Sequence, residues 1–228
     1  RQLFFEVRED ERLHAVSLLL DHYRPVSTLA FCNTKQQCRD LVQVLRAQGY
    51  AALELHGDLD QRDRDQVMVR FANRSCSVLA VINVDVSPEP DTHTHRIGRT
   101  GRVDAEGWAF TLASMDEMGR VGVIEKAGGF ESEWKKLPEL TPAGREPLRP
   151  PMRTLQIVGG RKEKIRPGDV LGALTKDMGF AGTQIGKINV NEFSTYVAVE
   201  ADIAAEALKR LSAGKVKGRS VKVRLLDD

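Results

Sequence analysis

Thr28-Leu29-Ala30-Phe31-Cys32-Asn33-Thr34 is the stretch that decides the fold. Its first five residues read as a short, mostly apolar strand. Asn33 and Thr34 are helix N-cap types, whose side-chain oxygens accept a backbone N–H that would otherwise go unpaired. A helix is predicted from there to Gln48, and Gly49 supplies its stop. The same switch of period repeats on both sides. Ala51–Leu55 reads as the next strand. Asp58 or Asp60 opens a charged helix through about Phe71, with Val67, Val69 and Phe71 toward its buried side. Leu3–Val7, Ser77–Val86 and Gly107–Leu112 read as further strands, and Ser114 caps a helix toward Ala127. Strands alternating with helices argue for an α/β lobe, a parallel sheet covered by helices, over residues 1–137.

One segment breaks the rhythm. Ser77–Val86 is ten residues of strand with no turn signal. Neighbouring parallel strands need a crossover of about a dozen residues or more. Either this is one unusually long strand, or a connection is missing near Leu79–Val81. Residues 138–152 carry Pro138, Pro142, Pro147, Pro150 and Pro151 with no apolar period, which reads as a proline-rich linker. Residues 153–228 then form a second unit. Thr154–Val158 is a strand, Pro167 starts a helix to about Met178, and Gly179 ends it. Ile185–Val190 and Thr195–Val199 are strands, Ala201–Leu211 a helix and Ser220–Leu225 a last strand. The order β-α-β-β-α-β is the ferredoxin-like α+β arrangement.

With 41% hydrophobic and 29% charged residues, the chain has the balance of a soluble globular protein rather than a disordered one. No apolar run approaches the ~20 residues needed to span a bilayer, and no basic start leads into an apolar stretch as a signal peptide would. Cys32, Cys38 and Cys76 form no metal-ligand spacing and no even disulfide set, so reduced thiols in a cytoplasmic protein are expected; a monomer is also expected. The chain opens on Arg1 without a methionine and runs at once into a strand, which reads as a fragment or a trimmed piece. The net charge of +2 hides a split. Residues 151–228 hold 14 Lys+Arg against 9 Asp+Glu, whereas the first 150 residues are net acidic, so a polyanionic partner is expected for the C-terminal part.

The chemistry concentrates in His95-Arg96-Ile97-Gly98-Arg99-Thr100-Gly101-Arg102. Arg96, Arg99 and Arg102 recur at three-residue steps, which places them on one side of a helical turn. Gly98 and Gly101 let backbone approach a ligand, and a planar guanidinium can bridge two phosphate oxygens. A solvated basic turn would explain such residues singly, but not the whole string. The string resembles motif VI of the DEAD-box RNA helicases. Ala30–Thr34 looks like that family's motif IV. Leu55-His56-Gly57-Asp58-Leu59-Asp60-Gln61-Arg62-Asp63-Arg64 looks like the block that follows, with Gln61 and Arg64 in its Q-x-x-R pattern. In the second unit, Arg166–Leu174 and Ile185-Gly186-Lys187-Ile188 resemble the RNA-recognition domain of one branch of the family, a branch that acts on large-subunit ribosomal RNA. The resemblance covers nearly the whole chain and implies a RecA-like second helicase lobe followed by an RRM-like domain.

The resemblance also implies roles. Arg99 and Arg102 would be arginine fingers on the γ-phosphate of ATP, stabilising charge in phosphoryl transfer by roughly 10³–10⁵ in rate. His95 would couple the nucleotide site to RNA. Asn33, Thr34, Gly57, Asp58, Gln61 and Arg64 would lie at or beside the RNA backbone groove, with Gly57 offering an N–H to phosphate. An exposed helix face explains Gln61 and Arg64 nearly as well. Two departures stand out. There is no G-x-x-x-x-G-K-[ST] loop (Ala181–Ile188 is a decoy) and no D-E-A-D run, so ATP and Mg²⁺ would be held mainly by a first lobe outside this chain, and the chain alone is expected to hydrolyse no ATP. Motif V, which the family places where two strands are fused near Leu79–Val81, is also missing.

RRM sheets usually stack bases on aromatics of their two central strands. That signature is poor here. Gln156 stands where an aromatic would, only Tyr196 fits, and Val199 replaces a second aromatic. Basic residues point elsewhere. Arg161, Lys162, Lys164 and Arg166 crowd the first loop, Lys187 follows on a strand, and Lys215, Lys217 and Arg219 fall in a late run of cations without an acid. About half of these cations are expected to be solubilising spectators. The resemblance implies, as partner, a hairpin of large-subunit (23S) ribosomal RNA in the pre-ribosomal large subunit, with unwinding of nearby duplex. The competing expectation is a non-catalytic RNA-binding protein or RNA chaperone. A nucleotide-dependent metabolic enzyme is disfavoured by the lack of G-x-G-x-x-G after a strand. His93 and His95 alternate but lack a third ligand, so no metal site is expected.

Overall fold

The structure, a computed structural model, describes residues 1–25, 27–73, 78–99, 107–144 and 146–226. The chain divides into two compact units, Arg1–Glu54 with Ser77–Arg149 and Leu55–Cys76 with Pro150–Asp228.

In the first unit, β1 (Gln2–Glu6), β2 (Ser27–Phe31), β3 (Val78–Asn83), β4 (Ala109–Ala113) and β5 (Trp134–Lys135) form a parallel sheet in the order β2-β3-β4-β1-β5. Helices α1 (Arg12–Tyr23), α2 (Lys35–Ala47), α4 (Pro90–Ile97) and α5 (Met118–Gly128) belong to the same unit. The core follows from strand alternation. Leu3 and Phe5 pack with Ala15, Val16 and Leu19 of α1 and Leu41 and Leu45 of α2. Phe4, pointing the other way, packs with Val121 and Ile124 of α5. Strand β1 is therefore apolar on both faces, as a strand buried inside a parallel sheet must be. This is the expected RecA-like lobe.

Local differences from the sequence expectation have physical causes. Ala51–Leu55 is not a strand. Its amides are used locally: the Ala52 N–H bonds the Tyr50 carbonyl at 3.0 Å, and Arg46 Nε donates to the Ala52 carbonyl at 3.0 Å. The long run Ser77–Val86 narrows to β3. Ser27 pairs with Val78 but Leu29 with Val81, so β3 carries one extra residue at the place where a connection was expected to be missing. Helix α4 begins at Pro90, whose absent N–H costs nothing at a first helical position. The residues read as a linker are in part docked. Leu140 and Leu148 pack against the first unit's core, Thr141 N–H donates to His22 Nδ1 at 3.0 Å, and Arg24 Nη1 donates to the Glu146 carbonyl at 2.6 Å. Side chains meet lone backbone groups there, an arrangement no hydrophobic period announces.

In the second unit, β6 (Met152–Val158), β7 (Ile185–Val190), β8 (Ser194–Glu200) and β9 (Lys222–Leu225) form an antiparallel sheet in the order β7-β8-β6-β9. That is the ferredoxin-like, RRM-like order. Leu155 and Ile157 of β6 and Val197 and Val199 of β8 pack on one face. They meet α6 (Pro167–Gly172), the π-helical turn Ala173–Asp177 that continues it, and α7 (Ala204–Ala213). Helix α3 (Gln61–Ala72), capped by Asp60 accepting from the Asp63 N–H at 2.7 Å, also belongs to this unit.

Candidate nucleic-acid interface

Ligands of open α/β sheets bind beyond the carboxyl ends of the strands, and the first unit gathers its charged residues there. Asp85 follows β3. One carboxylate oxygen accepts from the Asn33 N–H at 2.8 Å and the other from Gln37 Nε2 at 2.8 Å. Asn33 follows β2, and its Nδ2 donates to the Val86 carbonyl at 3.1 Å. Arg96, in the last turn of α4, donates to Asn33 Oδ1 at 3.1 Å and to the Asp85 carbonyl at 3.3 Å, and lies 5.2 Å over the Phe31 ring. Burial holds the Arg96 pKa below its usual value while Asp85 pulls it back up. The group stays a cation, because arginine starts so high.

Beneath this junction lies Arg12, 2% exposed. Its Nη1 donates to the carbonyls of Val84 and Leu112 at 2.6 and 3.2 Å, and its Nη2 meets Glu9 and Glu117, each at 2.7 Å. Asp85 stands 3.5 Å away. Burial alone would lower the Arg12 pKa, but hydrogen bonds and charge from Glu117 and Glu9 raise it. Sequence reasoning missed Arg12, Gln37, Asp85 and Glu117. The only local signal was Glu9 and Arg12 at helical spacing, which usually marks a surface pair.

The predicted motor residues divide. Thr34 caps α2 by accepting from the Gln37 N–H at 3.2 Å, and Asn33 is engaged by Asp85, Val86 and Arg96. The helix stops at Ile97 and Gly98 is its cap, so Arg96 and Arg99 do not share one helical side. Arg96 turns inward, while His95 and Arg99 are exposed. Arg102 lies outside the described residues. His93 is a core residue, 1% exposed, bonded to Gln2 Oε1 at 3.1 Å and stacked on Phe4. Burial first, then the Arg96 charge, lowers its pKa. In the second unit Gly57 and Asp58 are exposed, Gln61 donates to Asp65 at 2.8 Å, and Arg64 reaches the His56 carbonyl at 3.4 Å.

The RRM-like sheet is open to a base only in part. Its face away from α6 and α7 carries Thr154, Gln156 and Val158 of β6 with Tyr196 and Arg224 opposite. Arg224 Nε donates to Gln156 Oε1 at 2.6 Å, and Gln156 Nε2 donates to Tyr196 Oη at 3.2 Å. Asn73, at the end of α3, donates to Thr154 Oγ1 at 3.2 Å and accepts from Asn189 Nδ2 at 3.4 Å. Tyr196, read from sequence as a stacking aromatic, is only 4% exposed. The cations are placed differently. Arg161, Lys162, Lys164, Arg166, Lys187, Lys215, Lys217 and Arg219 are all exposed.

Two basic loops are tied together in this unit. Lys217 and Gly218 both have positive φ, 52° and 75°, between bridged Val216 and Arg219. That is the geometry of a tight turn that normally selects Asn-Gly. Lys217 Nζ donates to the Lys164 carbonyl, and Lys164 itself has φ 60°. Asp169 lies 3.8 Å from the same ammonium. A left-handed lysine is unfavourable without a compensating bond. The clasp supplies one and sets loops 160–166 and 215–219 side by side.

Comparison with known proteins agrees with this architecture. Residues 11–84 match the helicase conserved C-terminal domain, and residues 154–225 match the DbpA RNA binding domain. The chain is 40% identical to the ATP-dependent RNA helicase DbpA of Escherichia coli (strain K12) over 241 residues, covering 99% of this chain and 52% of that protein. It is 28% identical to DbpA of Bacillus subtilis (strain 168), covering 96% of this chain and 53% of that one. The chain thus spans about half the length of these relatives. A crystal structure of a DEAD box protein from Methanococcus jannaschii is 30% identical, with a TM-score of 0.56 over 60% of this chain and 42% of that one.

Proposed function

The chain belongs to the DbpA-type DEAD-box RNA helicases, carrying their C-terminal helicase lobe and RNA-binding domain, and from that premise we propose that it grips a structured element of large-subunit ribosomal RNA for a motor acting in ribosome assembly. The observation that carries this is the pair of clasped basic loops, 160–166 and 215–219, with Arg161, Lys164, Lys215 and Arg219 outside the buried network that consumes Arg12 and Arg96. Exposed cations on a rigid frame bind phosphate with a strong salt dependence. The tether would then raise the local concentration of neighbouring duplex for the motor.

Arg99 fits a nucleotide role. Its guanidinium is exposed one residue beyond the helix cap, while Arg96 secures the turn that presents it. ATP bound there would supply the phosphoryl-transfer energy of the motor. Arg99 would meet its terminal phosphate, and Mg²⁺ would be held by residues of a first lobe. The lobe therefore serves as a positioning half-site, and the chain alone hydrolyses no ATP. The same reading takes a connection to be missing near Leu79–Val81. It is supported by the extra residue in β3, and by a match to the Escherichia coli relative over more positions than this chain has residues.

The test is binding of the whole chain to hairpin fragments of large-subunit ribosomal RNA across a salt series. Lys164→Glu combined with Arg219→Glu should weaken binding and flatten the log–log salt slope by about 1 for each phosphate no longer neutralised. An unchanged slope would remove the assignment. ATPase is measured alongside, alone and with a first lobe added, and turnover by the chain alone would refute the half-site.

A further inference from the structure

The sequence offers Tyr196 as the aromatic of the RRM-like sheet, yet the structure buries it. The aromatic that this domain presents is Phe193, in the turn between β7 and β8, 61% exposed. Val158, which ends β6 on the face away from α6 and α7, is 58% exposed beside it, joined through the Gly159 N–H donating to the Phe193 carbonyl at 3.0 Å. Lys162 Nζ stands 5.0 Å from the centre of the Phe193 ring and 3.4 Å from Glu192.

This corner is rigidly built. The Arg161 N–H donates to the Asn191 carbonyl at 2.8 Å and the Lys162 N–H to the Glu192 carbonyl at 3.0 Å. With the Gly159 bond, three backbone bonds zip the first basic loop onto the turn that carries Phe193. Thr195 Oγ1 adds a bond to the Gly159 carbonyl at 2.8 Å. Gly160 makes the crossing possible, because a Cβ there would stand 2.2 Å from the Asn191 carbonyl oxygen. An exposed phenylalanine on a flexible loop would be unremarkable. One fixed by a backbone ladder, with a cation at its face and Arg161 and Lys164 on the same loop, has the composition of a site for unpaired nucleotides, in which π-faces take bases and cations take phosphates.

We propose that Phe193 is a stacking platform for an unpaired nucleobase next to the RNA element gripped by the basic loops, with Lys162 and Arg161 at the adjoining phosphates. The proposal rests on the RNA-binding reading above. It moves the base contact from the middle of the sheet to its corner. Stacking is sequence-tolerant, so the platform would select single-stranded over paired RNA rather than one base over another. Its strength would add to the phosphate interaction without changing the salt slope, because Phe193 carries no charge.

The test uses the whole chain and two RNAs, a hairpin with a single-stranded uridine tail and the same hairpin cut blunt. Stacking of one base is worth about 1–3 kcal/mol, which is roughly a 5- to 150-fold change in Kd. Phe193→Ala should lose that factor for the tailed hairpin and leave the blunt one within about twofold. Phe193→Leu, which keeps apolar bulk without a π-face, should behave like Phe193→Ala. Phe193→Trp should restore tight binding, with indole fluorescence quenched by the tailed RNA alone. Equal losses on both RNAs, or no loss on either, would overturn the platform while the RNA-binding reading stood. Failure of the unaltered chain to bind either RNA would overturn both.

Discussion

The junction of Asn33, Asp85 and Arg96 over Arg12 and the clasped loops around Lys164 and Lys217 are both rich in positive charge, yet they use it in opposite ways. In the first, two guanidiniums turn inward. Arg12 directs its donors to the strand-end carbonyls of Val84 and Leu112 and to Glu9 and Glu117, and Arg96 reaches Asn33. In the second, only Lys217 is drawn in, and its neighbours face solvent. Removing a buried, paired charge leaves its partners uncompensated, whereas removing an exposed one costs almost nothing in stability. The first region should therefore fail by unfolding and the second by losing its ligand.

The largest effect is expected at Arg12. Arg12→Ala strands Glu117, Asp85 and two carbonyls, and should cost the first unit about 3–5 kcal/mol, read by urea denaturation. Arg12→Lys should recover little of this, because one ammonium cannot span both carbonyls and both carboxylates. A loss below about 1 kcal/mol for Arg12→Ala would place this arginine with the surface cations and erase the contrast. Asn33→Ala comes next. It removes the acceptor of Arg96 and the donor to Val86, for about 1–2 kcal/mol. It should also loosen the turn that presents Arg99. Once a first lobe is supplied, ATPase should fall more than RNA binding does.

A proton tests the same inward-facing side. Burial lowers the His93 pKa in the folded state, so the unfolded chain binds the proton more readily. The stability His93 contributes is present above the unfolded histidine value of about 6.5 and is lost as pH falls below it, toward the depressed folded value. Thermal melts between about pH 7.5 and 5 should show this fall in the unaltered chain. A His93→Gln chain should show a smaller one. Identical pH profiles would mean that other groups govern the acid limb.

Much of the fold was legible because it follows local rules. The caps Thr34, Asp60 and Ser114 and the β-α-β-β-α-β order stand where sequence periodicity puts them. The failures are long-range. Ala51–Leu55 has strand composition, but its backbone is claimed by Tyr50 and Arg46. The spacing of Arg96 and Arg99 implied a shared face, but the helix ends between them. Sequence reading assigns His93 no role, and it is a packed imidazole against Phe4. Arg12 and Glu117 are 105 positions apart, and only tertiary structure makes them partners. Tyr196 and Phe193 are the sharpest case. Both are aromatics near one sheet, and what separates them is burial: Tyr196 is 4% exposed under a bond from Gln156 and Phe193 is 61% exposed in the turn.

The smallest expected change in stability completes the contrast. Lys215 and Arg219 are exposed on either side of the turn at Lys217-Gly218. Reversing both to Glu should alter unfolding by no more than about 0.5 kcal/mol, since neither side chain is buried. The Val216–Arg219 bridge is made by backbone and survives the change. RNA affinity should nevertheless fall, steeply at low salt and less at high salt, because fewer counterions are released when fewer phosphates are neutralised. Lys217→Met separates the two kinds of charge within one turn. It removes the bond to the Lys164 carbonyl, so it should relax the left-handed backbone at both lysines and weaken RNA binding by misplacing the loops. Its signature would be a larger fall in affinity than in salt slope. If Lys217→Met instead lowered the slope as much as Lys215→Glu does, Lys217 would be a phosphate ligand rather than a clasp, and the second region would hold no inward-facing charge at all.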